Sequence, residues 1–200
     1  IGGPDVNNAF HVFEDTIDTD KWMGKIGLDY IISDEALLYS TLSKGFKSGG
    51  FNGATSNTTQ QLKPYREEEL ISLELGGKAT LLEGRMQLNA AGFYYDYKDK
   101  QEQDVAVTFV GNIGGLTNVP KSEIMGAELD MQWVPVEGLT VNFGLAYLDT
   151  EVKEWDAVDQ AASQWPVTVT RYASGIELAM SPEWQANGLA AYEWPIANGL

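Results

Sequence analysis

Cysteine is absent from this sequence, and basic residues and histidine are scarce. The lack of cysteine excludes a disulfide scaffold and any metal or redox site built on thiolates. The 200-residue chain carries 13 basic and 29 acidic residues, which gives a formal net charge of −16. Such a surface repels nucleic acid, so a nucleic-acid partner is not expected.

Long apolar runs are missing as well. No stretch of about 18 apolar residues occurs, so no transmembrane helix is predicted, but a barrel strand is only half apolar and escapes this criterion. Residues 1–10 have neither the basic start nor the apolar core of a signal peptide. The first residues resemble the middle of a loop and residues 195–200 a turn. We therefore expect a fragment cut at both ends.

Four short stretches alternate apolar and polar residues almost without error. Successive strand side chains point to opposite faces, so each stretch predicts a strand with one apolar and one polar face. Roughly ten alternating residues is the length that a tilted strand needs to cross a bilayer. We expect these residues to point outward: Leu129, Met131, Phe143, Leu145, Ala186 and Ala190. We expect these to point to the concave side: Glu128, Asp130, Asn142, Gln185 and Asn187.

The whole pattern predicts an all-β protein with an antiparallel up-and-down meander. The predicted strands are 21–33, 36–48, 67–81, 85–101, 121–135, 139–150 and 183–194. Short connections, at 33–35, 82–84, 136–138 and after Trp194, alternate with long ones at 49–66, 102–120 and 151–182. Outer-membrane barrels are built with this alternation of short turns and long loops.

Proline placement agrees with these strands. We expect each proline at a strand end or in a loop, because proline cannot donate to a strand ladder: Pro4, Pro64, Pro120, Pro135, Pro166, Pro182 and Pro195. For strand 85–101 we assign Met86, Leu88, Ala90 and Tyr94 to the lipid side. For strand 36–48 the sequence does not indicate which face is apolar.

Four segments in order resemble the TonB-dependent receptors of the Gram-negative outer membrane. LYSTLSKGFKSGGFNG (38–53) is similar to a stretch of that family, and residues 67–101, 118–151 and 181–196 are similar to the strands that follow. The resemblance implies that residues 1–200 are part of a barrel of about 22 strands with a plugged lumen. The plug, the segment that contacts TonB and the remaining barrel are not recognised in this chain.

Catalytic and metal-binding chemistry is weakly indicated. His11 has no partner residue that we can identify, so a solvated loop residue is favoured over a catalytic base. Asp15, Asp18 and Asp20 have the spacing for calcium but lack the glycine and distal glutamate of a calcium loop, which favours a solvated charge run. The glycines of residues 44–53 form no phosphate-binding motif, and a strand turning into a loop is favoured there.

Carboxylates on the polar faces invite comparison with a glycosidase pair. They are Glu74, Glu128, Asp130 and Glu193. The polar interior of a barrel explains them without acid–base catalysis, so we expect neither an enzyme nor a cofactor.

Aromatic residues near strand ends are better explained as girdles at the membrane interface than as a ligand stack. They are Trp22, Tyr30, Tyr39, Tyr94, Trp133, Tyr147, Trp184, Tyr192 and Trp194. Five loop aromatics are candidates for ligand contact, with no basis for choosing among them: Phe51, Tyr65, Phe109, Trp155 and Trp165.

The resemblance implies an outer-membrane receptor that takes up a scarce ligand with TonB, such as an iron–siderophore complex, with cobalamin and oligosaccharides equally open. The alternative is a soluble extracellular β protein that binds glycan or acts in adhesion. The apolar face distinguishes the two, because a soluble sandwich buries it between sheets and a barrel presents it to lipid.

Overall fold

The computed structural model describes residues 15–52, 64–108 and 111–194, and every regular element in them is a β-strand. The strands are β1 (Gly24–Ser33), β2 (Ala36–Lys47), β3 (Gly50–Phe51), β4 (Pro64–Tyr65), β5 (Glu68–Leu81), β6 (Met86–Thr108), β7 (Gly111–Val136), β8 (Leu139–Glu154), β9 (Asp156–Val158), β10 (Thr170–Tyr172) and β11 (Trp184–Tyr192). The described residues contain no helix long and apolar enough to cross a membrane, a finding that concerns helices only.

The seven long strands form one antiparallel sheet in the order β1-β2-β5-β6-β7-β8-β11. Each is hydrogen-bonded to its neighbour in the chain, which confirms the predicted all-β meander. The short strands form two separate pairs, β3 with β4 and β9 with β10, at the end of the sheet where the long connections lie. We call this the loop end, and the opposite end, with the tight turns at 34–35, 82–85 and 137–138, the turn end.

The long connection predicted at 102–120 is wrong. β6 and β7 continue through it as a hairpin, paired from Gln101 opposite Asn118 to Thr108 opposite Gly111. The prediction stopped each strand at bilayer length, although the β-branched residues here favour a strand. The extension also buries apolar surface, since Val107 is 6% and Val119 0% exposed.

Pro120 consequently lies inside β7 and not at a strand end, which corrects its predicted place. The residues on either side are paired, Lys98 with Lys121 and Lys100 with Val119, while the position between them is not. Opposite Pro120 stands Asp99, whose φ of 52° is left-handed. Because proline has no N–H to donate, the hairpin loses no ladder bond by interrupting the pairing at this point.

The strand registers place the apolar positions of all seven strands on one face. Leu129 stands opposite Leu145 and Ala90, and Leu145 opposite Ala186, so the grouping expected from the sequence is confirmed. The register also decides strand β2, where Leu38, Ser40 and Leu42 share the apolar face with Leu73 and Leu75. The other face carries the polar residues, and we call it the polar face.

Tyr39 belongs to the polar face, so its assignment to an aromatic girdle is wrong. It stands opposite Gly76, and its ring lies across that glycine, where a side chain would collide with it. The alternation in strand 36–48 was too irregular to reveal this, because Leu37 and Leu38 both are apolar and point to opposite faces.

Seven of the other predicted girdle residues form two oblique rows on the apolar face, and Trp194, 67% exposed, follows β11 at the turn end. Trp22, Tyr94, Tyr147 and Trp184 lie toward the loop end. Tyr30, Trp133 and Tyr192 lie toward the turn end. When the residue partners are followed from strand to strand, Tyr30 of β1 leads to Ala186 of β11. The aromatic residue of β11 at the turn end, Tyr192, lies six residues beyond Ala186. The aromatic row at the turn end therefore shifts by six residues over six strand-to-strand steps, an average of one residue per step.

The apolar face is exposed to an extent that a water-soluble sheet would not tolerate. Leu28 is 74%, Met125 53% and Leu73 42% exposed. The buried apolar residues lie instead at the loop end: Val107, Val119, Val152 and Ala173. The seven-stranded sheet has no covered core in the described residues, and its buried apolar side chains lie where the long connections fold back.

Candidate functional site

The polar face is lined by aromatic rings that lie flat against the strands. The ring of Phe93 covers Gly126, where an added Cβ would stand 2.6 Å from the ring, and stacks on Tyr95 with 4.8 Å between ring centroids. The ammonium of Lys78 lies 5.9 Å from the centroid of the Tyr39 ring. Glycine at the facing position lets each large ring lie along the wall.

Three of the predicted interior carboxylates share this polar face. Glu74 stands opposite Phe93, Glu128 opposite Ala91 and Asp130 opposite Asn89, while Glu193 follows β11 and donates its backbone N–H to Gly138. A shallow cleft of about 210 Å³ opens beside Asp130. The other polar residues of the cleft are amides: Gln87, Asn89, Gln132, Asn142 and Asn187. With one carboxylate among amides, the cleft offers hydrogen bonds and not the acid pair of a glycosidase.

At the loop end, Asn52 joins the connection after β3 to the β6–β7 hairpin. Its amide donates to the carbonyl of Leu116 at 2.9 Å, and its carbonyl accepts from the N–H of Leu116 at 2.7 Å. Gly115 lies against the same side chain, and a Cβ there would be 3.3 Å from Asn52. The two hydrogen bonds imitate a strand pair between two segments that are 64 residues apart.

Asn118 makes a second junction with the segment that enters β5. Its Oδ1 accepts from the N–H of Arg66 at 2.7 Å, and its Nδ2 donates to the carbonyls of Arg66 at 3.0 Å and Asp99 at 2.7 Å. The Arg66 guanidinium also pairs with the Asp99 carboxylate.

Gln101 is buried beside this junction and completes it. Its side-chain amide donates to the carbonyls of Ser48 at 2.8 Å and Arg66 at 3.1 Å, and its N–H donates to Glu68 at 2.7 Å. We call Asn52, Arg66, Gln101 and Asn118 the loop clasp. The clasp holds both ends of the 48–66 connection against the extended hairpin.

The connection between β8 and β11 is also tied to the wall. The N–H of Val152 donates to Ile176 at 2.8 Å, and the N–H of Leu178 donates to the hydroxyl of Thr150 at 3.0 Å. The N–H of Val158 reaches the carboxylate of Asp104 on the hairpin at 3.4 Å. The hairpin therefore contacts both neighbouring connections at the loop end.

The predicted loop aromatics take different positions at this end. Phe51 lies in β3 opposite Pro64, and the ring of Tyr65 in β4 covers Gly50. Trp155 is half-buried between β8 and β9, and Trp165 is 51% exposed. Phe109 lies outside the described residues. The pairing of β3 with β4 brings Phe51 and Tyr65 together at the loop end.

Among the remaining sequence candidates, those that the structure describes form neither a metal site nor a phosphate site. His11 lies outside the described residues. Within residues 15–52, 64–108 and 111–194, no group of three or more acidic or histidine side chains is placed to hold a metal ion, and this range includes Asp15, Asp18 and Asp20. At Gly49 an added Cβ would stand 2.5 Å from the carbonyl oxygen of Tyr65, so close backbone approach explains this glycine without a phosphate ligand.

An ion-pair cluster precedes β1 at the loop end. The Lys21 ammonium lies 2.5 Å from Glu69 and 3.1 Å from Glu67, and Lys44 lies 2.8 Å from the other oxygen of Glu69. The hydrogen bonds to Glu69 and then to Glu67 raise the pKa of Lys21. Lys44 also lies 4.7 Å from the centroid of the Trp22 ring, a cation–π contact.

The sequence did not identify the clasp. Asn, Gln and Arg in loops are ordinary solvated residues, and their spacing does not reveal which segments meet. Two features of the sequence were signals. The valines of the hairpin favour a continued strand, and the glycine pair at 114–115 allows another segment to pack closely there.

Comparison with known proteins gives a consistent picture. The family model described as "TonB dependent receptor-like, beta-barrel" matches residues 3–199. The Pesticin receptor of Yersinia enterocolitica (serotype O:8 / biotype 1B) is 28% identical over 116 residues, which cover 57% of this chain and 16% of that protein.

Solved structures show the same fold. The ferric yersiniabactin uptake receptor of Yersinia pestis superimposes with a TM-score of 0.64 at 20% identity, over 88% of this chain and 24% of that one. The ferric-catecholate import receptor of E. coli K12 gives 0.54 at 19% identity, over 84% and 22%. This chain thus spans about a sixth to a quarter of the length of the proteins it resembles.

Proposed function

Because the chain belongs to the TonB-dependent receptor-like β-barrel family, we propose that it forms part of the wall of a receptor that imports a scarce ligand, such as an iron–siderophore complex. The family is one of receptors of the Gram-negative outer membrane. The proposal concerns the complete protein, since this chain covers only a small share of its relatives.

The exposed apolar face and its aromatic rows support a lipid-facing wall. Trp184 and Tyr192 mark the two rows on β11, eight residues or about 26 Å apart along the strand. At a tilt of about 35° this is a height of about 22 Å, comparable to the apolar band of about 25 Å of an outer-membrane barrel. A shift of one residue moves the row by about 3.3 Å along the strand for every strand spacing of about 4.8 Å. The ratio of these two lengths corresponds to a strand tilt of about 35°. Barrel strands are tilted by about 35–45°.

We infer that the loop end faces the outside of the cell, since outer-membrane barrels carry long connections there. The loop clasp would then hold aromatic residues, among them Phe51 and Tyr65, at the mouth of the barrel. Iron–siderophore complexes are favoured as ligands because the two solved structures described above are named for ferric uptake or import. Cobalamin and oligosaccharides are the competing ligands.

Energy coupling is proposed to reach this segment through other parts of the protein. The receptor would contact TonB and close its lumen with a plug, and residues 1–200 would supply about seven strands of a barrel of about 22. The polar face, with Glu74, Glu128 and Asp130, would line that lumen.

The alternative of a soluble glycan-binding or adhesion protein lacks support. A sandwich would bury the apolar faces of two sheets against each other. In the described residues the seven long strands form one sheet, and its apolar face is exposed.

Uptake by the complete receptor tests the ligand class. Cells lacking the gene, and the same cells carrying it on a plasmid, are supplied with radiolabelled iron–siderophore complexes, cobalamin or oligosaccharide. We expect gene-dependent uptake of an iron complex that stops when TonB is deleted. Gene-dependent uptake of cobalamin or oligosaccharide alone would contradict the iron proposal and leave the transport proposal intact.

A pair of variants tests whether the ligand binds at the loop end. Replacing Gln101 and Asn118 by alanine removes the hydrogen bonds that hold Ser48 and Arg66 against the hairpin. The connection between them is then less preorganised, and ligand affinity should fall roughly tenfold. The control, Asn142→Ala, removes an amide from the polar face near the turn end and should bind ligand normally. Equal affinities in the two variants would contradict a binding site at the mouth.

A further inference from the structure

The apolar face ends in charged residues at the loop end of β6 and β7. Lys98 stands directly opposite Lys121. Two residues along each strand, toward the aromatic row, Asp96 stands opposite Glu123. All four side chains fall on the apolar face, in line with Tyr94 and Met125. Like charges directly opposite each other destabilise a strand pair, so the two lysines require an explanation.

The carboxylates nearby do not neutralise Lys98. Glu69 is its partner in the register on the other side, but both oxygens of Glu69 are already bound by Lys21 and Lys44. Glu123 pairs with Lys121 at 3.1 Å and with Lys153 at 3.4 Å.

Asp96 does not supply the missing partner either. Its Oδ1 atom is buried without a hydrogen bond and does not reach Lys98. Among the residues that the structure describes, the exposed Lys98 ammonium has neither an ion pair nor a hydrogen bond.

The height of the two lysines matches a lipid headgroup. The upper aromatic row crosses β6 at Tyr94, four residues before Lys98. Four residues of a tilted strand rise by about 10 Å, and a lysine side chain can bend back over part of that distance toward the headgroup layer. Tyrosine at the interface and lysine just beyond it is the usual arrangement on a membrane wall.

We propose that Lys98 and Lys121 bind the phosphate group of a lipid in the outer leaflet, whose acyl chains lie along the apolar strip below. An anion between the two ammonium groups would remove their repulsion and supply the partner that Lys98 lacks. Tyr94, 41% exposed, and the exposed Met125 and Leu73 continue the site toward the membrane, which favours a lipid over free phosphate. The proposal rests on the outer-membrane location of the family and not on the imported ligand.

The test uses the complete receptor purified in a non-ionic detergent. The protein is titrated with a short-chain phosphatidic acid, which carries a bare phosphate headgroup, and separately with inorganic phosphate. We expect saturable binding of the lipid that weakens about tenfold in Lys98→Gln/Lys121→Gln, since each lysine near an anionic headgroup contributes a several-fold increase in affinity. Inorganic phosphate should not saturate over the same concentrations.

Two further variants separate the site from general charge and folding effects. Lys25→Gln/Lys78→Gln changes the net charge by the same amount on the polar face and should bind the lipid as the wild type does. Lys98→Arg/Lys121→Arg keeps both charges and should retain binding. Unchanged lipid affinity in Lys98→Gln/Lys121→Gln would overturn the proposal. So would an equal loss of affinity in Lys25→Gln/Lys78→Gln. Phosphate binding as tight as lipid binding would show a free-phosphate site instead.

Discussion

Single glycines in the seven-stranded sheet act by admitting large rings. Gly76 lies beneath Tyr39, and Gly126 lies beneath Phe93 and close to the backbone of β8. Which glycine serves which ring depends on the register between strands, and the sequence of one strand does not contain that information.

Gly126→Ala should destabilise the complete barrel by about 1–3 kcal/mol, because the new Cβ would stand 2.6 Å from both the Phe93 ring and the Tyr147 carbonyl oxygen. The carbonyl belongs to the backbone and cannot move aside easily. Gly92→Ala is the matched control, since its Cβ would lie 3.8 Å from the nearest atom, and its effect should stay within about 0.5 kcal/mol. Urea unfolding in lipid vesicles measures both, and similar free energies for the two variants would contradict the ring contact.

The two faces of β8 should respond differently to a charged substitution. Leu145 lies on the apolar face between Leu129 and Ala186, near the middle of the span between the aromatic rows. Leu145→Arg in the complete protein should cost about 2–4 kcal/mol, because a charge then faces the hydrocarbon core. Asn142→Arg, on the polar face, should cost little. Equal losses in a bilayer refolding titration would show that the faces are reversed.

The strands themselves were largely predictable, and the loop end was not. All seven long strands were located, four of them by clean alternation, because an apolar face is encoded at every second residue. The alternation pattern failed at the loop end. There the β6–β7 hairpin packs against the long connections and does not need one continuous apolar face. Pro120 was misplaced for the same reason, since the rule that excludes proline from strands does not foresee an interruption opposite Asp99.

The two junctions of the loop clasp should open independently. Asn118→Ala removes the acceptor of the Arg66 N–H, and Asn52→Ala removes the acceptor of the Leu116 N–H. Hydrogen–deuterium exchange in the complete receptor should therefore accelerate at Arg66 in the first variant and at Leu116 in the second. Each variant is the control for the other. Faster exchange at both amides in either variant would show that the clasp opens as one unit.

Together the seven long strands form an open sheet with one apolar face and two edges, β1 and β11. Within the described residues, each edge strand is paired along one side only. Unpaired edges promote association between chains, and exposed apolar patches of more than a few hundred Å² promote aggregation in water. The curvature and closure of the barrel remain predictions that depend on the other strands.

Expressed alone, this 200-residue segment should not persist as a soluble monomer, although a charge of −16 would normally favour solubility. Water would cover the exposed side chains of the apolar face, such as Leu28 and Leu75, and self-association removes that contact. It should also fail to bind a siderophore tightly, because the site we propose shares the mouth with strands and a plug outside this segment. Sedimentation without detergent tests the first statement, and a clean monomer boundary would contradict it. Ligand titration tests the second, since submicromolar binding would show that the clasped loops form the site without the rest of the barrel.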